Sequence, residues 1–124
     1  MIRIRVAAAA ALALTFSAPA PAQPARQTII MWSYGFAPKP IQLAAGRRVT
    51  LTFENRAGIS HDFVARSFFA NSQIIAGDVM DGMVDLRSRE VKNVTLVPRA
   101  GVYEAHCSHF LHEPLGMSDT IIVR

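Results

Sequence analysis

The chain has 124 residues, with 13 basic and 9 acidic side chains and a formal net charge of +4 with histidine neutral. That is enough for one domain, and no basic run interleaves with aromatics, so nucleic acid is not an implied partner. There is a single cysteine, Cys107, which excludes an intramolecular disulfide.

The first residues carry a targeting pattern. Met1 to Arg5 has two arginines and no acid, and Val6 to Phe16 is an apolar run of signal-peptide length, too short to span a bilayer. Ala20-Pro21-Ala22 then fits the small-x-small cleavage rule. The expectation is a signal peptide over 1–22, cut after Ala22, and a periplasmic domain over 23–124 with no membrane insertion after cleavage. Without Arg3 and Arg5 the domain keeps 11 basic residues against 9 acids, a net charge of +2.

From there the chain reads as short strands between turn residues. Gln27 to Ser33 is apolar and β-prone, and Pro38 and Pro40 suit an edge or an extended crossing. Ile41 and Leu43 open a strand closed by Ala45-Gly46. Val49, Leu51 and Phe53 alternate with Thr50, Thr52 and Glu54, the period of a strand with one buried face. Asn55 to Gly58 breaks it, and His61 to Ala65 starts another. Ser67 to Gly82 is irregular, with Phe68, Phe69, Ile74 and Ile75 on a short helix or folded loop. Strands resume at Met83, run through Val91 to Leu96, turn at Pro98 to Gly101, continue over Val102 to Cys107 and end with Thr120 to Val123. This spacing predicts an all-β, Greek-key antiparallel sandwich or barrel.

The chemistry concentrates in Tyr103 to Met117, which holds the only cysteine and three of the four histidines; His61 lies far upstream. In an oxidising compartment a lone thiol is intermolecular, reactive or metal-bound. One thiolate, two imidazoles and a thioether suit copper in both oxidation states, with two histidines and a cysteine in plane and methionine on the axis. The candidate ligands are therefore His61, Cys107, His112 and Met117, around one copper per chain. Cys107 would end one strand, Met117 would begin the last, and the loop between them would carry His112. His106 alternates to the face opposite Cys107 and cannot share that ion. His106 or His109 is left as the candidate for a second, weak metal site. Met80 and Met83, beside Val79 and Val84, are expected to pack rather than to bind Cu(I).

Cys107-x4-His112-x4-Met117 followed by a strand resembles the ligand loop of the cupredoxins, the plastocyanin and azurin group. Asn55-Arg-Ala-Gly-Ile-Ser-His61-Asp62-Phe63 is similar to the family's first-ligand segment, and Phe36 to Asn55 to the strand pair opening many bacterial members. The resemblance implies one-electron transfer in the periplasm, no enzymatic turnover, and donor and acceptor proteins docking near the His112 loop on Phe110, Leu111, Pro114 and Leu115. Asp62 would steady the His61 end through a hydrogen bond. The rival readings are a periplasmic copper carrier or tolerance protein and, behind it, a small copper redox enzyme. Ser108 stands where a multicopper oxidase has histidine, four histidines are too few for a trinuclear cluster, and one cysteine excludes a binuclear centre.

Overall fold

The structure is a computed structural model that describes residues 10–18, 25–109 and 114–124. Residues 10–18 form no regular element, and Leu12, Leu14 and Phe16 join no core. No helix among the described residues is long and apolar enough to cross a membrane.

Ten strands and one short helix build two facing sheets. In chain order they are β1 (Ala25–Trp32), β2 (Gly35–Ala37), β3 (Ile41–Leu43), β4 (Val49–Asn55), β5 (His61–Val64), α1 (Arg66–Ala70), β6 (Ser72–Ala76), β7 (Met83–Leu86), β8 (Val91–Pro98), β9 (Gly101–His106) and β10 (Ser118–Val123). One sheet runs β2-β1-β4-β8-β6 and the other β3-β10-β9-β5-β7. The chain changes sheet at nearly every connection, which makes the sandwich expected from the strand spacing. Most neighbours are antiparallel, but each sheet also holds one parallel pair, β1 with β4 and β3 with β10.

Alternation decides which faces meet. Val49, Leu51 and Phe53 of β4 turn inward while Thr50, Thr52 and Glu54 remain half-exposed, as a pleated strand requires. The inner faces meet around Phe63, whose ring lies 4.9 Å from Phe53, 5.5 Å from Phe36 and 6.3 Å from Phe69. Helix α1 exists to cover one opening of this core: it buries Phe68 and Phe69 and is too short to be stable without that burial. Each large side chain so buried contributes roughly 1.5–3 kcal/mol.

The segment expected to be irregular therefore splits into α1 and a sixth strand. β6 pairs only with β8, carries a register shift between Ile74 and Ala76, and leaves most of its residues exposed. At the opposite turn, the Tyr103 hydroxyl donates to the Arg99 carbonyl at 2.8 Å, tying β9 back to the end of β8.

Candidate metal centre

The end of the sandwich where β1 stops and β5 starts gathers three of the predicted ligands, His61, Cys107 and Met117. Asn55, 1% exposed at the end of β4, organises the turn that delivers His61. Its amide donates to the carbonyls of Ile59 and Arg87, both at 2.9 Å, and its oxygen accepts the Ala57 N–H at 3.0 Å. A fully satisfied buried amide of this kind fixes one backbone path. His61 thus enters β5 completely buried.

The His61 ring is held from both sides. Nδ1 lies 3.8 Å from the Cys107 Sγ, and Nε2 lies 3.0 Å from the Ser33 hydroxyl in the β1–β2 turn. Tyr34 from the same turn sets its ring edge-on to His61 with centroids 6.3 Å apart. Cys107 directly follows β9 and Met117 directly precedes β10, each within a residue of its expected place. The Cys107 N–H donates to the Met117 carbonyl at 3.0 Å and closes the neck of the intervening loop. Cys107 is 1% exposed and Met117 fully buried, continuing the inward rows of Tyr103 and Ala105 and of Asp119 and Ile121. His112 lies outside the described residues, as do Phe110 and Leu111.

Three of the four predicted ligands thus come to one end of the fold, with the His61 ring and the Cys107 sulfur side by side. Bonds of about 2.0 Å to nitrogen and 2.3 Å to sulfur, opened by about 120°, put the two donor atoms roughly 3.7 Å apart. The observed 3.8 Å fits two ligands of one ion. The donor set, imidazole nitrogen with thiolate and thioether sulfur, is that of copper sites.

The surroundings of Cys107 pull on its thiol in both directions. Burial pushes the thiol up most strongly, the backbone N–H groups of Asp62 and His109 favour the thiolate, and the Asp62 charge opposes it. A bound cation reverses the balance, because a coordinating thiol loses its proton outright.

Asp62 occupies a different place from the one the sequence predicts. Its carboxylate accepts the Ser108 N–H at 2.6 Å and the Ser108 hydroxyl, so it holds the residue after Cys107 rather than His61. The His61 ring is held instead by Ser33, a contact with no local sequence signal because the partners are 28 positions apart. His109 places its ring 6.3 Å from that of His61 and its Nε2 4.0 Å from Asp62. Asp62, Cys107 and His109 present ligand atoms within 4.8 Å of one another. His106 is half-buried and lies in register with Val64 and Ser118, outside that cluster. Beyond Met117, Asp119 is 5% exposed, its Oδ2 has no hydrogen-bond partner, and burial pushes its carboxyl up to about 6 against the Thr120 N–H and the Lys39 charge.

No family model and no curated protein matches the sequence. Solved structures do match the fold. Auracyanin B superposes with a TM-score of 0.60 at 21% identity, over 85% of this chain and 93% of its own. Auracyanin A, a "blue" copper protein from the green thermophilic photosynthetic bacterium Chloroflexus aurantiacus, gives 0.58 at 17% identity, over 82% and 100%. A multicopper oxidase from Campylobacter jejuni, a metallo-oxidase, gives 0.63 at 14% identity, over 85% of this chain and only 31% of its own. The chain therefore spans about a third of that oxidase's length but nearly the whole of each auracyanin. At these identities the likeness establishes the fold, the two-sheet cupredoxin sandwich.

Proposed function

We propose that this cupredoxin-fold chain is a mononuclear copper protein that passes single electrons between partner proteins, with His61, Cys107, His112 and Met117 as ligands. The observation that carries the reading is the 3.8 Å approach of the His61 Nδ1 to the Cys107 Sγ with both residues buried. Copper bound there supplies a Cu(II)/Cu(I) couple.

The chain's own part is to hold the donors still. Asn55 fixes the turn before His61, Ser33 orients its ring, Asp62 braces the backbone after Cys107, and the Cys107–Met117 hydrogen bond shuts the loop neck. A frame that does not move between oxidation states keeps the reorganisation accompanying electron transfer small. Asp62 serves this reading as a brace and not as a ligand, because Ser108 already engages both of its oxygens.

Partners would dock at the same end. Pro114 and Leu115 of the ligand loop are exposed there, as are Trp32 at the end of β1, Tyr34 in the turn that follows it and Ile59 in the turn that precedes β5. That apolar rim suits a weak, short-lived encounter. Export to the periplasm belongs to the same proposal and rests on the signal-like sequence over 1–22.

The test is the visible and EPR spectrum after Cu(II) loading, beside Cys107→Ala and His112→Ala. Intense thiolate-to-copper absorption with a narrow copper hyperfine splitting, lost in the cysteine variant, is expected. A pale protein with ordinary square-planar signals, unchanged by Cys107→Ala, would overturn electron transfer in favour of copper carriage.

A further inference from the structure

Met80 does not pack, contrary to expectation: at 75% exposed it is the most exposed large apolar side chain among the described residues from Ala25 onward. It heads a two-residue hairpin, Met80-Asp81-Gly82-Met83. The Met80 N–H donates to the Met83 carbonyl at 3.1 Å, and the Met83 N–H donates back at 3.0 Å. Asp81 and Gly82 both take positive φ, 52° and 71°, the signature of a type I′ turn. Gly82 also sits tight against α1, where a Cβ would lie 2.6 Å from the Arg66 Cα. The turn is therefore braced.

Residues that exchange both hydrogen bonds across a hairpin point their side chains to the same face, with Cβ atoms about 5 Å apart. Two sulfurs on one ion at about 2.3 Å each stand at most about 4.6 Å apart, within easy reach of two unbranched side chains so placed. The pair opens on a cleft of about 570 Å³ whose charged lining is Asp78, Asp81 and Asp85 against Lys92. Lys92 is itself paired with Glu90 at 3.3 Å. Three carboxylates against one occupied ammonium draw cations to this spot on a chain with net positive charge. Thioethers are soft, neutral donors that select Cu(I) over hard divalent ions.

We propose that Met80 and Met83 form a second, surface Cu(I) site that binds the ion exchangeably without any redox step. It is distinct from the buried centre: Met83 pairs with Val64 at one end of β5, and His61 pairs with Leu86 at the other. Its existence does not depend on the electron-transfer reading.

The experiment is a titration of the metal-free chain, labelled with [methyl-¹³C]methionine, first with Ag(I) as a redox-inert probe and then with anaerobic Cu(I) against a Cu(I) chelator. The Met80 and Met83 methyl signals should shift together, and should do so equally in Cys107→Ala, which disables the buried centre. Met80→Leu, which alters only an exposed side chain, should weaken this binding about tenfold or more and abolish the Met83 shift. An unmoved Met80 signal at saturating Ag(I), or unchanged affinity in Met80→Leu, would overturn the site. The Met117 methyl reports the buried centre separately, so the failure of one site is read apart from the failure of the other.

Discussion

Ser33 precedes His61 by 28 positions, yet its hydroxyl is 3.0 Å from the ring nitrogen that faces away from Cys107. Such partners fix the tautomer and the orientation of a ligating imidazole. Ser33→Ala should weaken copper binding by about 10–100-fold while leaving thermal stability of the metal-free chain nearly unchanged; chelator competition and calorimetry separate the two. Asp62 is a different case because it accepts two hydrogen bonds from Ser108 on a buried carboxylate. Hydrogen bonds to charged groups contribute about 1.5–3 kcal/mol each, so Asp62→Ala should lower stability of the metal-free chain by about 3–6 kcal/mol, read from urea unfolding. Asp119 works in the opposite sense. Its folded pKa of about 6 lies above the value of about 3.9 for a free aspartate, so the folded state binds the proton more tightly. Its contribution is complete below about pH 4 and is lost as pH rises through about 6. In the metal-free chain Asp119→Asn should therefore gain Tm relative to the parent at pH 7.5, with the gain vanishing near pH 4; a constant difference across that range would refute the assignment. That Cys107 and Met117 delimit one loop was legible because they stand close together between two strand patterns, and the start of β5 at His61 because the Asn55–Gly58 break precedes it. Ser33 and the role of Asp62 were not, because only folding brings them to the loop.

At the scale of elements, strands announce themselves when one face is buried along their whole length. β4 alternates buried and half-exposed over Val49–Asn55, and its period is visible in the bare sequence. β6 hides because it is an edge strand with a register shift: adjacent Ile74 and Ile75 are 39% and 40% exposed, so no two-residue period survives. The parallel pairings of β1 with β4 and of β3 with β10 were equally invisible, since alternation records which face is buried and not which strand lies alongside. What ends β6 is testable. Gly77 follows it at φ 106°, and a Cβ there would strike the Asn93 carbonyl and lie 2.9 Å from the Val94 Cα on β8. Strain of this kind costs about 1–3 kcal/mol before the clash is counted. Gly77→Ala should lower Tm by roughly 10 °C or more yet leave the spectrum of the copper-loaded protein intact, because β6 lies in the sheet that carries none of the proposed ligands.

Across the whole molecule, the proposed centre is a cross-link. His61 opens β5, Cys107 follows β9 and Met117 precedes β10, so one ion would tie three strands of a single sheet to the loop that closes its end. A ligand that binds only the folded chain stabilises it by mass action, about 2.7 kcal/mol when free ligand stands at a hundred times its dissociation constant. For a domain of this size each kcal/mol moves Tm by about 4–8 °C. Loading with one equivalent of copper should thus raise Tm by about 10 °C or more, and removal by a chelator should return the stripped value. The increase should disappear in Cys107→Ala, whose missing sulfur breaks the tie between β9 and the ion, but should persist in Met80→Leu, since the hairpin at the far end of β5 spans no such set of strands. An equal rise in parent and Cys107→Ala would place the stabilising copper elsewhere and remove the buried centre from the account of how this fold is held together.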